Sequence, residues 1–181
     1  MKNKLNLIKI CIFFLFFSTV VYSENLFNFE GKEIDILDEG NKVVANEDVK
    51  VVTHDNIIFT ADKAIYNKLT SVLTTFGKVK VITNDDVIIT SDKAIYNKLT
   101  LTLTAIGNVK IDDSLNKTII YAKHIDYFKN DEIIITKGDT SAEFENEYFI
   151  QSKNVTYDKK LNILSSNFKV SVDDNLGNLM S

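Results

Sequence analysis

The chain has 181 residues, 45% of them hydrophobic, a formal net charge of −4 and a single cysteine, Cys11. All 21 basic residues are lysine, against 25 acidic ones, and this acidic balance excludes nucleic acid as a partner, because that binding is driven by neutralising phosphates with basic patches. One cysteine leaves no disulfide framework and no cysteine-based metal site.

The chain opens on Lys2, Lys4 and Lys9, followed by an apolar run over 10–21 and then Val21-Tyr22-Ser23 before Glu24. That is the layout of a secretory signal peptide. The run is about twelve residues, short of the roughly twenty that span a bilayer as a helix, so residues 1–23 are expected to be cleaved and 24–181 to form one exported domain. Cys11 lies within the run, not at the cut, which excludes a lipoprotein and removes the only thiol from the exported chain. Without the leader, 18 lysines face 25 acidic residues.

Beyond the leader the chain repeats. Ala61-Asp62-Lys63-Ala64-Ile65-Tyr66-Asn67-Lys68-Leu69-Thr70 returns thirty residues later as Ser91-Asp92-Lys93-Ala94-Ile95-Tyr96-Asn97-Lys98-Leu99-Thr100. Lys123-His124-Ile125 and Lys153-Asn154-Val155 keep the register, and Val49-Lys50-Val51, Val79-Lys80-Val81 and Val109-Lys110-Ile111 form a second series. A repeat of this length is one supersecondary unit that cannot bury its apolar face alone, so the units must stack.

Within each unit apolar and polar residues alternate, most clearly in Thr100-Leu101-Thr102-Leu103-Thr104-Ala105, and no stretch sustains helical spacing. The chain is therefore expected to be all-β, with about two strands per unit and ten or more strands overall. Polar clusters at 83–86, 112–114, 129–131 and 173–175 mark turns. Gly77 and Gly107, just before Val79 and Val109, predict bulges that switch which parity faces inward, so that Leu103, Val109 and Ile111 share one interior. Lys63, Lys93, Lys123 and Lys153 are expected to form a lysine ladder along one edge, of solvated turn residues or of contacts to phosphates and sugars; Asp62 and Asp92 are expected to cap turns. His54 and His124, the only histidines, lack metal-ligand spacing, and neither a phosphate loop nor a nucleophile with a paired base is present.

The Ala/Ser-Asp-Lys-Ala-Ile-Tyr units at 61–66 and 91–96, followed by Leu73-Thr74-Thr75-Phe76-Gly77-Lys78-Val79-Lys80-Val81 and Leu103-Thr104-Ala105-Ile106-Gly107-Asn108-Val109-Lys110-Ile111, resemble the OstA-like domain of lipopolysaccharide transport. The resemblance covers roughly 28–170. After residue 111 the Gly-Asn-Val step is lost, and Asp126-Tyr127 and Thr156-Tyr157 stand where Tyr66 and Tyr96 would recur. It implies a repetitive β-jelly-roll, or β-taco, with a V-shaped cross-section, in the periplasm between the inner and outer membranes. It implies lipopolysaccharide as cargo, other jelly-roll proteins of the transport bridge as end-to-end partners through edge strands, and possible self-association. The segments 32–36 and 168–172 are the edges expected to meet such neighbours.

A groove for acyl chains needs apolar side chains and no catalyst or cofactor. The candidate lipid-binding positions are Ile57, Phe59, Ile65, Leu73, Phe76, Val81, Ile89, Ile95, Leu103, Ile106, Val109 and Ile111, each of which would serve equally as a packed core residue. Two other readings compete. One is a β-solenoid scaffold or surface adhesin with a filled core. The other is a polysaccharide-acting enzyme on a parallel β-helix, which needs an acidic cluster away from turns that the sequence does not contain.

Overall fold

The computed structural model describes residues 27–174 and 179–180; the expected leader, with Cys11, lies outside them. The described residues form one antiparallel sheet of fifteen strands. In chain order these are β1 (Phe27–Glu30), β2 (Glu33–Leu37), β3 (Lys42–Thr53), β4 (Ile58–Asn67), β5 (Val72–Ile82), β6 (Ile88–Asn97), β7 (Thr102–Asp113), β8 (Thr118–Phe128), β9 (Ile133–Thr136), β10 (Asp139–Phe144), β11 (Tyr148–Lys153), β12 (Thr156–Asp158), β13 (Ile163–Ser165), β14 (Ser171–Asp174) and β15 (Leu179–Met180). The all-β expectation holds.

Strands β3 to β8 are long and pair in sequence order as a meander. At each end of this block the sheet divides into two arms. β1 pairs with the second half of β3 and β2 with its first half. At the other end β10 pairs with the first half of β8 and β9 with its second half. One arm continues through β11, β14 and β15, and the other through β12 and β13. The expected edge at 32–36 is realised in β2, whereas Val172 is paired on both sides, with Ile150 and Met180.

A crease divides the arms at mid-strand. On β3, β5 and β7 two consecutive residues adopt left-handed backbone: Glu47-Asp48, Gly77-Lys78 and Gly107-Asn108. Each pair interrupts the ladder register. Two extra residues restore the original parity, so Leu73 and Val79 share a face without any switch, as do Leu103 and Val109. The switch falls on the neighbouring strands, where the inward residues pass from Phe59 and Ala61 to Ala64 and Tyr66, and from Ile89 and Ser91 to Ala94 and Tyr96. Asp62 and Asp92 therefore sit at the crease of continuous strands, not at turns.

The glycines at the crease are explained by contact as well as by φ. A Cβ on Gly107 (φ 79°) would lie 2.3 Å from Asp92 Oδ2, and one on Gly77 would meet Asp62 identically, whereas Gly138 (φ 84°) has nothing within 4 Å. Gly138→Ala should thus cost only the backbone strain, about 1 kcal/mol. Gly107→Ala must also displace Asp92, which accepts a hydrogen bond from Asn108 Nδ2 at 2.9 Å, and should cost about 2–3 kcal/mol. Urea denaturation of the two variants checks this; equal costs would mean that Asp92 moves freely and that the crease is not packed.

Candidate functional site

The two arms fold onto each other about the crease. On the first arm an apolar row crosses ten strands: Phe29, Val51, Phe59, Val81, Ile89, Ile111, Ile120, Ala142, Ile150 and Val172 are successive cross-strand neighbours. On the second arm the row is Val43, Tyr66, Leu73, Tyr96, Leu103, Tyr127, Ile134, Tyr157 and Leu164. The rows face each other: the rings of Phe59 and Tyr96 are 5.7 Å apart and those of Phe27 and Tyr66 4.4 Å apart. Toward the crease, where two arms of a fold must converge, the inward residues are small: Ala45, Ala64, Thr75, Ala94 and Ala105 form one row. On the second arm side-chain volume thus grows from this row to the tyrosine and leucine row beside it.

Eight of the twelve candidate lipid-binding residues lie in this interior: Ile57, Phe59, Leu73, Val81, Ile89, Leu103, Val109 and Ile111, all 0–3% exposed. The other four face outward and are half-buried. Ile65 and Ile95 lie between the inward residues Ala64 and Tyr66, and Ala94 and Tyr96, because the crease reverses parity on β4 and β6. Phe76 and Ile106 follow the inward Thr75 and Ala105, and the Lys93 ammonium lies over the Phe76 ring at 5.3 Å. The interior roles fall to Tyr66, Tyr96, Tyr127 and Tyr157, which continue one row across the repeats.

The opening opposite the crease is bordered by two sets of turns. One set contains Asp55 and Asp85, with Asp113 at the end of β7 beside the next turn; the other contains Lys68, Lys98, Lys129 and Lys159. In the second set each turn is stacked on the one before: Lys68, Lys98, Lys129 and Lys159 donate their backbone N–H groups to the carbonyls of Asn41, Ser71, Leu101 and Glu132. The expected ladder of Lys63, Lys93, Lys123 and Lys153 is not formed. Ile106 faces both Lys93 and His124, so His124, and not Lys123, occupies the third position. The recurring lysine is instead the one in Tyr-x-Lys, at 66–68, 96–98, 127–129 and 157–159. One extra residue between the second and third copies hides that series from a search at a spacing of thirty.

The lips are joined. Asp55 Oδ1 accepts a hydrogen bond from Lys98 Nζ at 2.8 Å, and Asp55 Oδ2 accepts from Lys129 Nζ and from the Tyr96 hydroxyl. Asp85 pairs with Lys159 and also accepts from the Thr83 hydroxyl. Farther along, the Tyr157 hydroxyl donates to Asp113 Oδ2 at 3.0 Å and Asn162 Nδ2 to Glu145 Oε1 at 3.3 Å. Burial alone would raise the Asp55 carboxyl, but the hydrogen bonds from Lys129 and Lys98 outweigh it and hold the group well below the usual carboxylate range. Asp85 is lowered in the same way by Lys159 and Thr83. Burial pushes the Tyr96, Tyr127 and Tyr157 phenols up, so they stay protonated donors.

The arrangement is suited to holding apolar matter. Among the described residues no group of three or more His, Cys, Asp or Glu could hold a metal ion. A groove of about 840 Å³ crosses β7, β8, β10 and β11 beside Phe168 and includes Lys110, Tyr121, Ser141 and Gln151. These four belong to one outer-face row and not to the two apolar rows between the arms.

The family model described as OstA-like protein matches residues 25–173. No curated protein matches the chain. Among solved structures it is similar to the crystal structure of LptH, the LptA homologous periplasmic component of the conserved lipopolysaccharide transport device from Pseudomonas aeruginosa, with 14% identity and a TM-score of 0.33 over 81% of this chain and 92% of that one.

Proposed function

On the premise that this chain belongs to the OstA-like protein family, we propose that it is a periplasmic bridge component that carries lipopolysaccharide toward the outer membrane, holding the acyl chains between its arms and passing them on without transforming them. The observation that carries this reading is the apolar row from Phe29 to Val172, unbroken over ten strands and so about 43 Å long at the spacing of paired strands. A core needs only local closure, whereas a conduit needs a continuous apolar wall from end to end. Each methylene held there is stabilised by about 0.8 kcal/mol relative to water. The eight inward candidates would line the path.

End-to-end partners would pair with the edge strands. β2 presents Ile34, Ile36 and Leu37 exposed at one end, and β13 presents Ile163 exposed at the other. The filled interior, with Phe59 against Tyr96, equally favours the scaffold reading, in which the same residues are core only.

A photo-reactive residue placed at Leu103 or Ile89, in cells that make lipopolysaccharide, separates the two. Adducts to lipopolysaccharide are expected at these inward positions and not at Thr102 or Ile95, which face outward. A folded, exported protein with adducts at none of the four would remove the carrier reading and leave the scaffold.

A further inference from the structure

Lysines at turn tips are ordinarily solvated. Lys68, in the first turn of the series, is exposed, but its equivalents Lys98, Lys129 and Lys159 have side chains only 17%, 17% and 4% exposed. The position in the repeat therefore does not bury the lysine; the opposing acid does. Lys98 reaches a carboxylate 43 residues away, and Lys129 and Lys159 carboxylates 74 residues away, always on the other lip. A buried ammonium requires an anion. At Asp55 a single carboxylate carries two ammonium groups and a tyrosine hydroxyl, leaving that trio of charged groups with one positive charge in excess.

We propose that these lips form an anion-exchange latch, in which phosphate on an amphiphilic glycolipid headgroup takes the place of Asp55 and Asp85 on Lys98, Lys129 and Lys159 as its acyl chains part the arms. The inference rests on the carrier reading and adds to it a headgroup site. A phosphate monoester brings nearly two negative charges and three acceptor oxygens, which matches two ammonium groups and the Tyr96 hydroxyl better than one carboxylate does. Exchange also supplies a reason for closure when empty. The ammonium groups that shut the slot are the ones that hold the headgroup at its rim, so the latch opens more readily for a ligand that can replace the carboxylates.

The test is competition against a fluorescent fatty-acyl probe bound to the exported protein, using a bisphosphorylated acylated disaccharide and the same lipid stripped of phosphate. The wild type should prefer the phosphorylated lipid by about tenfold or more, the scale of hydrogen bonds to charged groups. Lys98→Gln with Lys129→Gln should abolish that preference while still binding the stripped lipid. Lys98→Arg with Lys129→Arg should keep it, and Asp55→Asn should increase it, so the outcome is still decided if the glutamine pair fails to fold. Inorganic phosphate should not release the lipid; release would assign the site to free anions and overturn the headgroup proposal. A wild type that binds both lipids equally, or a preference that survives in a folded glutamine variant, overturns the latch and leaves the carrier standing. A wild type that binds neither lipid removes the carrier reading, and the latch with it.

Discussion

Tyr96→Ala should destabilise the protein by about 3–5 kcal/mol, the range for truncating a buried aromatic. Tyr96 is among the largest fully buried side chains. It lies between Leu73 and Leu103 along its own arm and against Phe59 on the other. Removing its ring opens a cavity between the two arms, bordered by strands that cannot collapse without breaking ladder pairs. Tyr96→Phe keeps the ring and loses only a long hydrogen bond, 3.4 Å, to a carboxylate that two lysines already hold, and should cost about 1 kcal/mol or less. Urea midpoints for the pair give the answer. If Tyr96→Ala costs less than about 2 kcal/mol, the arms do not pack against each other in solution and the slot stands open when empty.

The same residue shows how far the sequence could be read. Period-two alternation places Phe59, Val81, Ile89 and Ile111 inward, because within one arm a strand keeps its parity. Extrapolating the alternation past the crease gives Ile65 and Ile95 for the wall, where Tyr66 and Tyr96 stand. The glycines at 77 and 107 signal the crease, but not that it holds two residues on one strand and one on the next, and that difference alone decides which strands reverse. The latch was less legible still. Asp55 and Lys129 are 74 residues apart, and a ladder of adjacent strands does not bring them together; they meet only because the whole sheet folds over. The available clue is the fourfold Tyr-x-Lys series, with its tyrosine in the wall and its lysine at the lip. Insertion of one residue in the third repeat masks it.

Asp85→Asn should cost more than Lys159→Met, although each removes one half of the same ion pair. The two partners are unequally placed: the Lys159 side chain is 4% exposed and that of Asp85 34%. Without the carboxylate, a buried ammonium is left over the Tyr127 ring at 5.6 Å without its ion-pair partner, a loss of about 3–5 kcal/mol. Without the ammonium, the carboxylate keeps water and the Thr83 hydroxyl, and the methionine fills the space left by the lysine stem, so about 1–2 kcal/mol is expected. The double variant should recover much of the Asp85→Asn loss, since two neutral groups of similar volume need no counter-ion. Additive single costs in a double-mutant cycle would show that the lips are not coupled at this point. Acid gives an independent check. Asp55 and Asp85 have folded-state pKa values below their unfolded ones, so they bind fewer protons when folded, and their contribution is complete above about pH 4 and is lost as the pH falls through the folded values. Asp85→Asn should therefore flatten the acid limb of the stability curve. A limb that is unchanged in this variant would place the acid-sensitive groups elsewhere than at the lips.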